Sequence, residues 1–504
     1  MRVSKFLKDL VFTGLNQVIV LAMGVVLLKF LSAAFSETNF GLFNVVRRWD
    51  IVLIPLITLN LNLGLSRYVS YEKENDSFYL HFTLIITTAF CILLSPPLFL
   101  FPSFFSKLLF DSAEYGDMVM ILTLFLLANV LHLIAYSYFR GKMNMNVANS
   151  MRSWFFGFPL LPAAAAALYQ HKTGHFAPSS YLNLFFLLYS LFGIFLSLFY
   201  LRHEVSLATV KTMFKVKRAA LINTFKQGQN LLIFSLARMP AVFFMALIFS
   251  FPVFYANYMM SLVLAGYLGI VVSVLRLFEI FSMPFNMIFL PKFSGLLRDK
   301  DSSRIHEYCQ VVLDFIFTFL PFAGVLAFGL MPFVVHIWFG NTYTITTSSV
   351  AVSVLCSVFY LAFALIRGIL DGLFEYPYTN EISLASFLFM AVLSLIIGGD
   401  TYNLTIAFCS GLIMLGLLST IVLVKKLRLV MPWLVLVKAL LIAILLFTLL
   451  RFVDQQLADL GFKGMRLFAI QLGCRLLLVG ALWFFYWRKS HWYKEVLKRF
   501  NISA

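Results

Sequence analysis

Charge is scarce in this sequence, and acid is scarcer than base. Charged residues fill only 12% of 504 positions, with 22 Asp and Glu against 39 Lys and Arg. So little charge beside 61% hydrophobic residues excludes an ordinary soluble domain. Cysteine is scarce too. Cys91, Cys309, Cys356, Cys409 and Cys474 form no CxxC and no Cys/His spacing, which argues against a disulfide framework and against a metal site. Long polar stretches are also missing, and the longest, 203–225, is too short for a soluble domain. What remains is a series of apolar runs, each long enough to cross a hydrocarbon core about 30 Å thick. Fourteen are readable, at about 10–32, 40–65, 79–101, 117–139, 153–170, 181–201, 228–251, 264–290, 309–337, 346–370, 381–398, 403–424, 433–451 and 467–487.

The net charge of +17 invites a nucleic-acid reading, but its distribution points to membrane topology. With the N-terminus in the cytoplasm and the chain alternating, 27 of the 39 basic residues fall on inside segments. Only Lys107, Lys172, Arg451, Lys463 and Arg466 fall outside. This is the positive-inside rule obeyed around the whole circuit, and it places both termini in the cytoplasm of a multi-pass inner (plasma) membrane protein. The basic, then apolar, N-terminus lacks a small-residue cleavage site and reads as a retained first helix.

The two halves echo one another. Gly41 to Arg67 and Gly266 to Lys292 share a layout at an offset of 225 residues. Each opens on a small-aromatic turn, carries charge within an apolar run, holds a proline (Pro55, Pro284) and ends on a basic residue. Phe139-Arg140-Gly141 and Ile366-Arg367-Gly368 repeat at an offset of 227. Such an offset spans six helices, an even number, so the repeats are parallel and related by an axis along the membrane normal. The expected architecture is all-α, with about 14 transmembrane helices. Residues 1–202 form an N-terminal lobe, 203–225 a basic cytoplasmic linker and 226–426 a C-terminal lobe. Residues 427–504 hold two appended helices and a cytoplasmic tail.

Phe40-Gly41-Leu42-Phe43 followed by Asn62-Leu63-Gly64-Leu65-Ser66-Arg67-Tyr68 resembles the opening pattern of the polysaccharide flippases. Ala265-Gly266-Tyr267 with Leu290-Pro291-Lys292-Phe293-Ser294, and the stretch from Met331-Pro332 to Tyr343, are similar to further parts of that family. The family lies within the superfamily of multidrug/oligosaccharidyl-lipid/polysaccharide exporters. The resemblance implies a transporter, not an enzyme. It would move a saccharide linked to polyprenyl phosphate or pyrophosphate from the inner to the outer leaflet by alternating access, for surface polysaccharide biosynthesis. It also implies membrane lipids, a polysaccharide polymerase and assembly proteins as partners, and no nucleic acid.

An ionisable group at the bilayer centre costs at least about 2.5–3.5 kcal/mol, so each one needs a reason. The deep cations are Lys29, Arg47, Arg48, Arg238, Arg276, Lys438 and Arg475, and the deep anions are Asp50, Glu279 and Asp314. Seven against three leaves an excess of four positive charges. Arg47 with Asp50, and Arg276 with Glu279, stand three apart and can share a helix face. Arg48 and Arg238 have no acid at helical spacing. Guanidinium forks in a semi-wet cavity suit a phosphate or pyrophosphate, so Arg47, Arg48, Arg276 and Arg238 are the expected substrate-binding residues. Asp50, Glu279 and Asp314 are internal ion-pair partners or sites for a coupling H+ or Na+, with no other cofactor expected. Arg140, Arg367 and Asp371 are expected at a gate where the lobes close, with ordinary positive-inside anchoring as the other reading. Trp49, Tyr255 and Tyr267 are candidates to stack on sugars, and the many phenylalanines are expected mostly to face lipid. Two other functions compete. A cation-coupled multidrug exporter of the same superfamily would need an acidic cavity, and an integral membrane glycosyltransferase or polymerase would need catalytic acids and a large outside loop.

Overall fold

The computed structural model describes residues 2–205, 218–277, 302–328, 347–374, 376–459, 464–490 and 493–494. Among them every regular element is helical, with no strand. The chain divides into two compact units, Met1–Ile270 and Val271–Ala504. The first contains α1 (Arg2–Ala34), α2 (Glu37–Thr58), α3 (Leu61–Tyr71), α4 (Asp76–Leu100) and α5 (Pro102–Phe110). It continues with α6 (Gly116–Gly141), α7 (Met145–Gly157), α8 (Leu160–Thr173), α9 (Ser179–Leu201) and α10 (Arg218–Met259). α11 (Leu262–Leu277) begins there and runs into the second unit. That unit holds α12 (Ser302–Phe328), α13 (Thr347–Leu373), α14 (Tyr378–Ile397), α15 (Thr401–Leu427), α16 (Trp433–Asp459) and α17 (Gly464–Phe485). α10 starts at Arg218, inside the stretch 203–225 read as linker.

Among the described residues eleven helices are long and apolar enough to cross a membrane. The number rises to twelve when α2 and α3, bent by 51°, count as one span. The bend has a local cause. Pro55 has no N–H to give the Ile51 carbonyl, and Leu59 and Asn60 then take left-handed φ values of 48° and 57°. Each non-glycine residue in that region costs roughly 1–2 kcal/mol. Packing of Leu61, Gly64 and Leu65, all buried, holds the bend in place. At the other end Ser36 caps α2, its Oγ accepting from the Asn39 N–H, with Glu37 in the first turn facing the positive helix end.

The run at 153–170 differs from expectation. It forms two helices, α7 and α8, parted at Phe158 and Pro159, and neither alone is of spanning length. Pro159 and Pro162 withhold donors from the Phe155 and Phe158 carbonyls, which breaks the ladder there.

The phenylalanines also depart from the lipid-facing expectation. Phe35, Phe40, Phe43, Phe110, Phe155, Phe185 and Phe186 are fully buried in the first unit. Rings of Phe43, Phe125 and Phe186 mesh at 5.1–5.6 Å between α2, α6 and α9. Lipid supplies no hydrophobic force between helices, so flat rings that interdigitate supply dispersion contact instead. In the second unit, α16 and the residues after α17 pack on α12 through Phe322, Ala439, Ala443, Leu446, Leu450 and Trp487. Trp487 Nε1 also donates to the Thr318 carbonyl at 3.4 Å. All five cysteines are unbridged.

Candidate functional site

The echoed glycines of the two halves meet. A Cβ on Gly266 of α11 would stand 3.2 Å from the Gly41 Cα of α2, closer than most side chains approach a backbone. One on Gly41 would overlap the Leu262 carbonyl, and one on Gly269 would overlap the Asn44 side chain. Three glycines thus let two backbones cross at a separation that any other residue would widen. The sequence echo is therefore also a contact.

One turn further along α2 the buried charge begins. Arg48 is only 4% exposed, and its Nη2 donates to the Gly269 carbonyl at 3.4 Å. Arg47 is half-buried, its guanidinium 5.4 Å from the centre of the Phe43 ring. Asp50 is buried within reach of the Arg47 charge, and its Oδ1 has no hydrogen-bond partner. Trp49 is half-buried, its ring stacked on Phe254 at 4.3 Å and its Nε1 donating to the Leu109 carbonyl at 2.8 Å.

Arg238 on α10 belongs to the same unit and is also buried. It shares an aromatic ring with Arg67 of α3: each guanidinium lies 4.2 Å from the centre of the Phe234 ring. Gly64 permits it, since a Cβ there would overlap the Ser235 hydroxyl across the α3–α10 contact.

The remaining predicted residues divide. Arg367 and Asp371 pair at 3.5 Å within α13, and Thr379 donates to Asp371 Oδ1 at 3.1 Å. Asp314 on α12 accepts from Gln310 at 3.5 Å. Glu279 lies outside the described residues, and Arg276 sits at the end of α11 with its side chain also outside them. Arg475 corrects the charge count. It is 3% exposed, with Nη2 3.1 Å from Asp454 Oδ2 and Nε donating to the Leu326 carbonyl at 3.2 Å. Asp454 was not counted as a deep anion, so the excess falls from four to three. Lys438 is exposed on α16, where its stem can snorkel toward the membrane surface. Among the described residues no group of three or more His, Cys, Asp or Glu is placed to hold a metal ion.

Sequence reasoning missed two clusters at the turn between α6 and α7. In one, Lys142 Nζ lies 3.0 Å from Glu204 and 3.4 Å from Asp76, and Tyr138 donates to Glu204 at 2.8 Å. Burial there works against the ammonium, but Glu204 and then Asp76 outweigh it and raise Lys142 above the usual lysine range. In the other, Arg152 Nη1 donates to Tyr136 Oη and Arg140 Nη2 to Ser66 Oγ, each at 3.3 Å, and both positive charges act on the Tyr136 phenol. Both groups join helices far apart in sequence, and no local spacing announces them.

No family model matches the sequence, and no curated relative does either. Solved structures do. The lipid II flippase MurJ in an inward-closed conformation aligns over 95% of this chain and 99% of its own, with a TM-score of 0.64 at 15% identity. An inward-facing multidrug-resistance MATE family transporter of the MOP superfamily aligns over 81% of this chain and 94% of its own, with a TM-score of 0.57 at 12% identity. The fold is that of the MOP-superfamily transporters. A MOP-superfamily transporter from Pyrococcus furiosus, described as having a binding pocket of reversed polarity that suggests a different function, covers 84% of this chain and 96% of its own (TM-score 0.53, 12% identity). The MOP-superfamily fold thus agrees with the exporter superfamily that the sequence motifs resemble, and with an all-helical, multi-span chain.

Proposed function

We propose that this protein is a flippase that carries a saccharide linked to polyprenyl phosphate or pyrophosphate from the inner to the outer leaflet, by alternating access, in surface polysaccharide biosynthesis. The observation that carries the reading is the cationic lining of one unit. Arg48 is buried at the α2–α11 crossing, and Arg67 and Arg238 share one ring on α10. A drug-cation carrier has no use for such a lining, whereas an anionic head group does. Both termini are cytoplasmic, and lobes 1–202 and 226–426 rock against each other.

In the state described, α2 and α11 are closed at Gly41 and Gly266, and Arg48 gives Nη2 to the Gly269 carbonyl. Parting of the two helices breaks that bond and turns the Arg48 fork to the phosphate. Arg47 and Arg238 complete the anion site in this scheme. Asp50, whose Oδ1 is buried without a partner, is the first candidate for a coupling H+ or Na+, with Asp314 and Glu279 behind it. Arg140, Arg367 and Asp371 stand at the cytoplasmic ends, where closure would occur.

Purified protein in proteoliposomes should move a fluorescent polyprenyl-pyrophosphate saccharide across the bilayer. Arg48→Ala should lower that rate at least tenfold, and Arg48→Lys should recover only part of it, because an ammonium lacks the fork. A protein that leaves this lipid in place but expels a lipophilic cation is a multidrug exporter, and the proposal fails.

A further inference from the structure

We propose that Arg140, Arg152, Tyr136 and Ser66 form a second phosphoryl-binding site, near the turn of the α6–α7 hairpin. It would receive the phosphate or pyrophosphate of the lipid-linked substrate ahead of the Arg48 site. The assignment rests on the reading of the chain as a carrier of an anionic lipid. Arg152 Nη1 donates to Tyr136 Oη at 3.3 Å, and Arg140, one turn along α6 from Tyr136, brings a second positive charge to the same phenol. Arg140 Nη2 also donates to Ser66 Oγ at 3.3 Å, which ties in α3. Among the described residues neither guanidinium has an ion-pair partner. Arg152 Nε is buried with no hydrogen-bond partner at all.

Local acids exist, but they are committed. Asp76 and Glu204 both serve Lys142, the next basic residue along. Two half-buried guanidiniums beside one phenol repel, and the surroundings offer rings in place of countercharge. Arg152 lies 5.2 Å and 5.8 Å from the Tyr136 and Phe156 ring centres, and His132 stacks on Phe155 at 3.8 Å. A phosphoryl group supplies what is missing: negative charge and several acceptor oxygens, met by two forks and two hydroxyls. Ordinary topological anchoring by positive charge would leave these side chains at the water surface. It does not require them to converge.

The test uses full-length protein in phosphatidylcholine nanodiscs, with farnesyl diphosphate as the lipid-attached probe and inorganic pyrophosphate as the free head group. Arg140→Gln with Arg152→Gln should weaken farnesyl diphosphate binding at least tenfold. Lys142→Gln should leave it unchanged. If the double variant fails to fold, Arg152→Lys keeps the charge and loses the fork, and should weaken binding about threefold. Competition by inorganic pyrophosphate shows that the head group alone is held, and failure to compete shows that the lipid-attached form is required. Either result upholds the site when the arginine variants lose binding. Unchanged affinity in folded variants, or a wild-type protein that binds neither probe, overturns it. A protein that binds here yet moves no lipid-linked saccharide loses the flippase reading and keeps the site.

Discussion

Two helix ends with the same signature, Arg140-Gly141 on α6 and Arg367-Gly368 on α13, treat their arginine in opposite ways. One turn on, the second copy has Asp371, which pairs with Arg367 at 3.5 Å. The first copy has Asn144 at the corresponding place, and Arg140 donates instead to the Ser66 hydroxyl. The echoed helix end thus keeps its basic residue twice and its acid once. The difference teaches where charge is structural and where it is held in readiness. Arg367 and Arg475 each have a carboxylate and are internally satisfied. Arg140 and Arg152 sit among hydroxyls and rings, and that arrangement fits an anion that comes and goes.

The contrast can be broken from both sides. The largest effect is expected where a satisfied and buried cation loses its acid. Asp454→Ala strands Arg475 beside the Leu326 carbonyl and should destabilise the second unit by about 3 kcal/mol, read as a loss of melting temperature in detergent. A stable Asp454→Ala protein would show that Arg475 does not depend on the pair.

Next in size is the reverse change. Asn144→Asp gives Arg140 the acid that Arg367 already has. Asn144 Oδ1 caps α7 by accepting from the Val147 N–H, and aspartate caps equally well, so folding should be kept. Farnesyl diphosphate affinity should fall about fivefold to tenfold. Asp371→Asn, the matching change in the second copy, should cost under about 1 kcal/mol of stability and leave that affinity unchanged, since its pair is partly exposed. Equal effects of the two changes on binding would erase the distinction between the helix ends.

The smallest effect concerns Lys142. Its pKa is raised above the ordinary value of 10.5, so its stabilisation is complete below that value and is lost as pH climbs through the higher folded one. The melting-temperature gap between wild type and Lys142→Met should therefore be small and constant up to about pH 9, closing only in stronger alkali. A gap that closes near neutrality would contradict the Glu204 and Asp76 partnership.

The helices were legible because hydropathy and positive-inside bias act on whole segments, and single residues hardly disturb them. The breaks inside spans were not. Pro55 was visible, but the left-handed turn at Leu59 and Asn60 depends on packing beyond it, and Pro159 splits a run whose hydropathy is continuous. The Gly41–Gly266 contact was half legible: the echo was plain, but nothing in a sequence says that counterparts touch. Pairings across helices were hidden altogether. Asp454 stands near the end of a different helix from Arg475, 21 positions away, and helical spacing rules reach only three or four. The tie of Arg152 to Tyr136 lies in the folding of the hairpin, which no local spacing announces. The stack of Trp49 on Phe254 was hidden too, since it joins helices far apart in sequence.

The account turns on the α2–α11 crossing opening during transport, and one cysteine pair tests it. Asn44→Cys with Gly269→Cys, in a background where the five native cysteines are replaced, places two thiols at the point where a Gly269 side chain would meet Asn44. In proteoliposomes the reduced protein should translocate a fluorescent polyprenyl-pyrophosphate saccharide, oxidation should stop it, and reduction should restore it. Full translocation by the oxidised, crosslinked protein would mean that these helices do not part, and would contradict the account.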